Sequence, residues 1–259
     1  MKFGYETIRW GTNLGSPLLK ILDEISRAGY EGLEIRDNHL SPIFKNPKDF
    51  HDALLEKELT LVSIYTPGGY FRGLGSLPYY LWWRWRQVGR VIKFASDVGC
   101  KLIVVGGEER NEINEKDCLK IAKVLNKVGR TCNDFGIEAS YHAIQEHLIR
   151  KICELTDPDL VHLTVDTAHL ILRGTDVVKV IKNYADRINL VHFKDLKDGR
   201  FVQFGEGTIN FKTIIGSLKS IHYDRWIIIE DEINSATRTP FESLKRTKAY
   251  IEMHLHACE

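Results

Sequence analysis

Short segments rich in Val, Ile, Leu and Tyr alternate along the chain with longer segments of helical period, and the pair repeats eight times. Each pair is typical of a βα unit, and successive units place their strands side by side in a parallel sheet. The predicted strands are residues 3–8, 32–36, 60–65, 102–105, 137–142, 161–166, 189–193 and 226–230. Eight units in 259 residues match the size of a (β/α)8 TIM barrel, which we predict as the fold.

An open, doubly wound sheet is the alternative architecture for this alternation. Sheets of that kind commonly bind a nucleotide through a glycine fingerprint after an early strand. Gly68-Gly69 and Gly73-Leu74-Gly75 follow the third predicted strand, but their spacing matches neither GxGxxG nor GxxxxGK. We therefore favour the closed barrel. No Pro-rich or Ser-rich linker interrupts the alternation, so we predict one domain over residues 1–259.

The composition narrows the classes of partner. With 36 Lys and Arg residues against 35 Asp and Glu residues, the net charge of +1 does not favour nucleic acid or an anionic membrane as a partner. The opening segment MKFGYETIRW lacks the apolar core of a signal peptide, and no run approaches the roughly 18 apolar residues of a membrane span. Five widely spaced cysteines without a CxxC motif argue against a disulfide framework and a thiolate zinc site. We predict a cytoplasmic protein with buried, reduced thiols.

Polar residues collect where four of the predicted strands end. In a TIM barrel the active site lies at the carboxyl ends of the strands, so ionisable side chains placed there face a shared mouth. The groups are Tyr141-His142 on strand five, Asp166-Thr167-Ala168-His169 on strand six, His192-Phe193-Lys194-Asp195 on strand seven and Glu230-Asp231-Glu232 on strand eight. Imidazoles and carboxylates from different strands suit a divalent metal such as Mn²⁺, Co²⁺, Fe²⁺ or Zn²⁺. The alternative is that each residue caps a helix or pairs with a Lys at the barrel rim.

The same segments resemble a known family. The run LTDPDLVHLTVDTAHLILRGTDVVKVIKNYADRINLVHFKDL is similar to the xylose isomerase-like sugar isomerase/epimerase superfamily, and most of all to inosose dehydratases. The run FGEGTINFKTIIGSLKSIHYDRWIIIEDE continues the similarity, with Arg225 where the pattern usually has Gly. The resemblance spans most of the chain, although the opening segment with EGLEIR is less specific.

The resemblance implies a barrel that holds one divalent metal ion with strands five to eight. By position, Asp166, His192 and Glu230 correspond to metal ligands of the superfamily, and His169 corresponds to a residue that contacts substrate. Lys194 and its neighbour Asp195 match a sequence motif of the superfamily. The roles of these two residues vary between subfamilies.

The fourth ligand is where this chain departs from the common pattern. Most epimerases of the superfamily have a Glu at the end of strand five, where this chain has His142. Inosose dehydratases have a Tyr-His-x-His run there, of which Tyr141-His142 reproduces the first half while Ile144 replaces the second His. His142 is therefore a metal ligand or a proton carrier. The nearest acidic substitutes in sequence are Glu108, Glu109 and Glu146.

These residue types predict enediolate chemistry. A divalent metal chelated by a carbonyl and a neighbouring hydroxyl acidifies the adjacent C–H bond, and a base then removes that proton. Epimerisation, isomerisation and dehydration share this intermediate. We predict His142, Glu230 and His169 as catalytic residues. The predicted substrate contacts are His169, Lys194, Tyr65 and Glu232.

The leading prediction for function is an isomerase or epimerase acting on a small polyol, keto-sugar or inosose. A dehydratase that uses the same intermediate is the alternative, and a barrel that has lost catalysis and serves as a binding subunit is a third hypothesis. An apurinic endonuclease is disfavoured because strands two and three offer no His pair for a metal cluster and the charge does not favour DNA. The aromatic segment PYYLWWRWRQVGR predicts an outer helix or a subunit contact, so a homo-oligomer is possible.

Residues 201–204 follow Lys197-Asp198-Gly199, and an Asp-Gly pair between two short apolar segments is typical of a β-hairpin turn. We predict a hairpin over the barrel mouth, which serves as a lid or only as decoration.

Overall fold

Eight parallel strands close into a barrel in the computed structural model, which describes residues 1–11, 18–40, 46–67, 78–107, 113–232 and 238–255. The strands of the chain are β1 (Lys2–Glu6), β2 (Gly32–Arg36), β3 (Thr60–Thr66), β4 (Leu102–Gly106), β5 (Glu138–Ala143), β6 (His162–Asp166), β7 (Ile188–Phe193), β8 (Asp195–Lys197), β9 (Arg200–Val202) and β10 (Trp226–Ile229). The barrel order is β1-β10-β7-β6-β5-β4-β3-β2, and β2 pairs with β1 to close it. The prediction of a (β/α)8 barrel is confirmed.

Helices follow the barrel strands and surround them. They are α1 (Leu18–Arg27), α2 (Pro47–Glu56), α3 (Pro78–Asp97), α4 (Glu115–Asn133), α5 (Glu146–Leu155), α6 (Thr167–Leu172), α7 (Val177–Asn183), α8 (Phe211–Ser220) and α9 (Pro240–His254). The aromatic segment lies in α3, as predicted for an outer helix, although most of its side chains lie outside the described part of the structure. The chain also differs from prediction after β1, because Thr7–Trp10 form a 3-10 helix rather than the end of the strand.

The period of two along each strand separates two apolar cores. Val104 and Leu190 point into the barrel, where they pack with Val62, Leu102 and Ile228. The alternate residues point outward and pack against the helices in a much larger core. A parallel strand buried on both faces is normally apolar throughout. Polar side chains on the inward face are therefore exceptions, and they concentrate at the two ends of the barrel.

The predicted hairpin is confirmed. Strands β8 and β9 pair antiparallel around Asp198 and Gly199, whose φ angles of 50° and 72° are those of a turn with two left-handed residues. The buried Asp195 carboxylate accepts hydrogen bonds from the backbone N–H groups of Leu196 and Gly207, among others, and so ties the returning chain to the hairpin. A Cβ atom at Gly207 would lie 2.0 Å from Asp195 Oδ1, so only glycine fits there.

Two further predictions concern the cysteines and the membrane. Cys100, Cys118 and Cys132 are free and buried, as predicted, whereas Cys153 is only half-buried. Burial raises the pKa of the Cys100 thiol to about 12, which makes it unreactive. Cys258 lies outside the described residues. None of the described helices is long and apolar enough to cross a bilayer.

Candidate metal centre

Four side chains from strands β5, β6 and β7 and from the residue after β10 meet at the mouth of the barrel. His142, Asp166, His192 and Glu230 are all buried, and each offers a ligand atom that lies within 4.8 Å of the others. Strand register explains the convergence. Asp166 is the Cα partner of His192, and Ile228, two residues before Glu230, is the other partner of His192. The period of two then places all of these side chains on the inward face.

Within this set, polar atoms that have no hydrogen-bond partner among the described residues face one another. Asp166 Oδ1 accepts a hydrogen bond from the backbone N–H of His169 and so caps α6. Its other oxygen, Oδ2, lies 3.5 Å from His142 Nε2, and neither atom has a hydrogen-bond partner among the described residues although both are buried. Buried polar atoms without partners are rare in folded proteins. Two imidazoles and two carboxylates arranged in this way fit a divalent metal ion, which would satisfy these atoms.

Glu34 on β2 contacts the ring nitrogen of His192 that does not face Glu230. His192 Nδ1 lies 3.1 Å from Glu230 Oε2, and its Nε2 lies 3.1 Å from Glu34 Oε1. Ser63 donates a hydrogen bond to the other oxygen of Glu34 at 2.6 Å. Neither His192 Nε2 nor Glu34 Oε1 has a hydrogen-bond partner among the described residues, so their contact is electrostatic, and a carboxylate beside an imidazole ligand helps to orient the ring. Burial lowers the pKa of His192, but the charges of Glu34 and Glu230 outweigh this effect and leave the pKa well above its ordinary value.

Lys194 forms a second, adjoining set of contacts. The side chain is fully buried, and its Nζ donates a hydrogen bond to Glu230 Oε1 at 2.8 Å and another to Glu232. Burial raises the pKa of Glu230, but the charges of Lys194 and His192 more than offset it, so the pKa lies well below its usual range. Burial lowers the pKa of Lys194, yet the carboxylates around it raise it above the ordinary value. Glu230 and Lys194 therefore both remain charged near neutral pH.

His169 completes this second set. Its Nε2 lies 3.3 Å from Lys194 Nζ, and its ring packs edge-on against the ring of Phe201 with centroids 4.9 Å apart. Lys194 Nζ also lies 4.2 Å from the Phe201 centroid. Burial lowers the pKa of His169, and the charge of Asp166 only partly opposes this. Phe201 of the hairpin thus lies against both the His169 imidazole and the Lys194 ammonium.

Tyr65 lies on the other side of the four-residue set. Its ring centroid is 5.5 Å from that of His142 and 6.4 Å from that of His192. The Arg36 guanidinium lies 4.7 Å from the Tyr65 ring and 3.5 Å from the buried carboxylate of Glu6. Burial raises the pKa of Glu6 well above its ordinary value, and the negative charge of Glu230 adds to this.

Glu34, Glu6 and Arg36 were not predicted from the sequence as residues near the metal centre. The available signal was the alternation of charged residues in GLEIR, because a strand covered on both faces should be apolar. Phe201 was placed in the predicted hairpin without a role of its own.

Glu146, another candidate for the fourth ligand, does not join the set of four. Glu146 is exposed in the first turn of α5, and Ile144 is buried in the core. Glu108 and Glu109 lie outside the described residues. Among the described residues, His142 is the one from strand five that lies with Asp166, His192 and Glu230.

Comparisons with known proteins agree with the barrel fold. A family model described as a xylose isomerase-like TIM barrel matches residues 22–252. The inosose dehydratase of Clostridium beijerinckii is 29% identical, and the match covers 97% of this chain and 96% of that protein. The solved structure of the IolI protein with a zinc atom has a TM-score of 0.83 at 17% identity and covers 97% of each chain. An L-ribulose 3-epimerase structure has a TM-score of 0.83 at 18% identity, covering 99% of this chain and 95% of that chain. At these identities the two structures show the shared fold.

Proposed function

The chain belongs to the xylose isomerase-like TIM barrel family, and from that premise we propose that it is a sugar-modifying enzyme that enolises a small keto-polyol. The observation that carries the proposal is the buried set of His142, Asp166, His192 and Glu230, beside which Lys194 and a neutral imidazole lie. The similarity to inosose dehydratases and to a ribulose epimerase supports a small sugar or polyol as substrate.

The four buried residues are the ligands of one divalent metal ion in this proposal. His142 takes the place that a carboxylate has in most epimerases of the superfamily. The IolI structure, which shares this fold, has a bound zinc atom and so supports a metal ion in this chain, and the donor set of the four residues also suits Mn²⁺, Co²⁺ and Fe²⁺. When bound, such an ion supplies Lewis-acid stabilisation of negative charge on nearby substrate oxygens.

His169 is the proton carrier of the scheme. Its ring lies outside the set of four, and it is neutral near pH 7 because burial lowers its pKa, so it can accept a proton. It takes the proton from the carbon next to the substrate carbonyl, and the C–H electron pair is left in the enediolate. Lys194, held by Glu230 and Glu232, places its positive charge beside the developing negative charge and so stabilises it.

Dehydration is the outcome that these residues support best. The leaving hydroxyl needs one proton to depart as water, and His169 can return the proton that it has just taken, so a single carrier completes the reaction. Epimerisation requires a second carrier, and the carboxylate usual at the end of strand five is replaced by His142. Epimerisation stays as the second candidate because Glu232, beside Lys194 and partly exposed, is a further carboxylate that can carry a proton.

Aromatic rings on two sides suit a ring-shaped polyol. Tyr65 lies beside His142 and Phe201 lies over His169, so the C–H faces of a sugar ring have apolar surfaces to contact. A cyclic keto-polyol such as an inosose presents these faces together with a carbonyl and an adjacent hydroxyl. We take this class as the substrate.

The test is proton exchange and product analysis in D₂O with metal-loaded protein and a panel of inososes and ketoses. We expect deuterium next to the carbonyl, together with loss of one water molecule from an inosose as measured by mass spectrometry. The variant His169→Asn should slow exchange by about 10²–10⁴-fold, the usual contribution of a general acid or base. His147→Asn changes an exposed histidine on α5 and serves as the matched control.

The other outcomes distinguish the alternatives. Exchange and a new stereoisomer without loss of water would assign the protein to the epimerases. Exchange that is unchanged in His169→Asn would show that another group carries the proton. Absence of exchange across the panel would favour the non-catalytic barrel.

A further inference from the structure

A cavity of about 600 Å³ lies at the end of the barrel opposite the metal centre. Its lining comes from the starts of the strands, including Leu61 on β3, Leu102 on β4, Glu138 on β5 and Trp226 on β10. The volume is many times that of one water molecule, so the cavity has room for a small organic ligand. Nothing in the proposed reaction uses this end of the barrel.

The polar groups of this cavity are organised around Glu138. Its Oε2 accepts hydrogen bonds from Arg225 at 2.6 Å and from Asn189 at 2.8 Å. Its Oε1 accepts no hydrogen bond from the described residues, and the same holds for Oδ1 of Asn189, which is buried. Asn189 Oδ1 is therefore a buried acceptor without a donor, and Glu138 Oε1 is an acceptor that is open to solvent. A ligand with a hydroxyl group can supply a donor.

The charges around the cavity favour an anion. Lys2, Lys101 and Arg225 line it against two acidic residues, Glu138 and Asp224, so positive charge is in excess. Arg225 is held by Glu138, whereas Lys101 forms no ion pair with any described residue.

The remaining wall is apolar. Leu61, Val62 and Leu102 line the cavity together with the Trp226 ring, over which Lys2 lies with Nζ 5.4 Å from the centroid. The apolar part of a small ligand can therefore pack against this wall while the polar groups of the ligand contact the charged residues at the rim.

We propose that the amino-terminal end of the barrel is a second binding site, which takes a small hydroxylated carboxylate. The carboxylate meets Lys101 and Arg225, the hydroxyl donates to an acceptor of the pair formed by Glu138 and Asn189, and the hydrocarbon body contacts Trp226. The site is separate from the metal centre, and its occupancy does not depend on the proposed reaction.

The test uses 4-hydroxybenzoate as the probe, with the indole N–H resonance of Trp226 as the reporter, assigned through Trp226→Phe. We expect saturable binding to the wild-type protein. Benzoate, which lacks the hydroxyl donor, should bind about fivefold more weakly, as the loss of one hydrogen bond of about 1 kcal/mol implies. 4-Hydroxybenzyl alcohol, which lacks the negative charge, should also bind more weakly.

The variants locate the site. Arg225→Gly should weaken binding about tenfold, because it removes a charge-assisted contact and leaves Glu138 unpaired. Lys101→Gln, an exposed change that does not threaten folding, should weaken it about threefold. Lys120→Gln on α4 is the matched control and should leave binding unchanged, as should Asp166→Asn at the metal centre.

Binding that is lost in Asp166→Asn but kept in Arg225→Gly would place the ligand at the mouth and overturn the proposal. Equal binding of benzoate, or no saturable shift of the Trp226 resonance, would overturn it as well. Because none of these readouts uses turnover, the proposal and the proposed function fail independently.

Discussion

The two ends of the barrel are built from the same strands, but their charged residues differ in burial and in pairing. At the carboxyl end, His142 and Asp166 are buried and turn unpaired atoms toward each other. At the amino end, Glu138 and Arg225 are about 40% and 46% exposed and pair directly at 2.6 Å. Between the two ends lies an interior filled mainly by aliphatic side chains, in which Ser140 and Thr164 bond to each other at 2.6 Å.

The difference separates a centre of buried, incompletely paired charges from an ion pair that is open to solvent. Charged groups at an exposed rim are solvated and gain little by pairing. A buried charged group without a partner destabilises the folded state by several kcal/mol unless another charge compensates it. The carboxyl end is therefore stable only with compensation, which Lys194 supplies in part and a divalent metal ion would complete. The following predictions rank the consequences from the largest to the smallest.

Replacement of Asp166 by Asn should have the largest effect on metal binding. Metal affinity should fall by more than about 100-fold, because loss of an outer partner of a ligand alone costs about 10–100-fold. Asn is a good N-cap, so α6 and the fold should persist. Elemental analysis after dialysis measures the bound metal. Asp176→Asn makes the same change at the N-cap of α7 and should leave metal content at the wild-type level.

Replacement of Lys194 by Met should have the largest effect on stability. Glu230 and Glu232 would lose the buried ammonium that compensates them, and breaking a buried ion pair costs about 3–5 kcal/mol of unfolding free energy. Urea denaturation of the metal-free protein measures this cost. A decrease of less than about 1 kcal/mol in the free energy of unfolding would show that solvent screens the charges at the carboxyl end as it does those at the amino end.

Two substitutions of His142 test its role. His142→Ala should remove metal and activity together, because the ion is left with three protein ligands. His142→Glu restores the carboxylate usual in the epimerases, so it should retain metal and shift the product toward epimerisation. Metal that is retained in His142→Ala with a rate loss of about 10²–10⁴-fold would instead identify His142 as a proton carrier.

Replacement of Glu34 by Gln should weaken metal binding about 10–100-fold without removing a ligand. Gln keeps the size of the side chain but withdraws the negative charge 3.1 Å from His192 Nε2. Competition with a metal indicator measures the affinity. Gln203, which bonds to the backbone of Ser243 away from the centre, offers Gln203→Glu as a control for a change of one charge.

The smallest effect is expected at the amino end. Arg225→Gly should cost less than about 1 kcal/mol of unfolding free energy, because its pair with Glu138 is half-exposed. Metal content and turnover should stay at the wild-type level. A loss of metal in this variant would show that the two ends are coupled.

The barrel and the set of four could be predicted because their signals are local. Alternating βα segments fix the fold class, and a polar residue after an apolar strand marks the mouth. DTAH and HFK also carry the resemblance to a family. The alternation predicted one helical segment between strands six and seven, whereas the structure has two helices there, α6, which begins directly after Asp166, and α7.

The roles of Glu34 and Phe201 could not be predicted because they depend on contacts between distant segments. Glu34 reaches His192 across 158 positions of sequence and through the closure of the barrel. Phe201 covers His169 only because the hairpin folds back over the mouth. Strand register decides which inward-facing polar residues become neighbours and can share a ligand. The alternation of apolar and polar residues in the sequence does not specify this register.

The central claim is that the carboxyl end of the barrel is a metal centre. Anomalous diffraction from crystals grown with Mn²⁺ tests it most directly. We predict one strong anomalous peak in contact with His142, Asp166, His192 and Glu230, and no such peak in crystals of Asp166→Asn. Fully occupied Mn²⁺ elsewhere in the crystal, with no peak among these four side chains, would contradict the account.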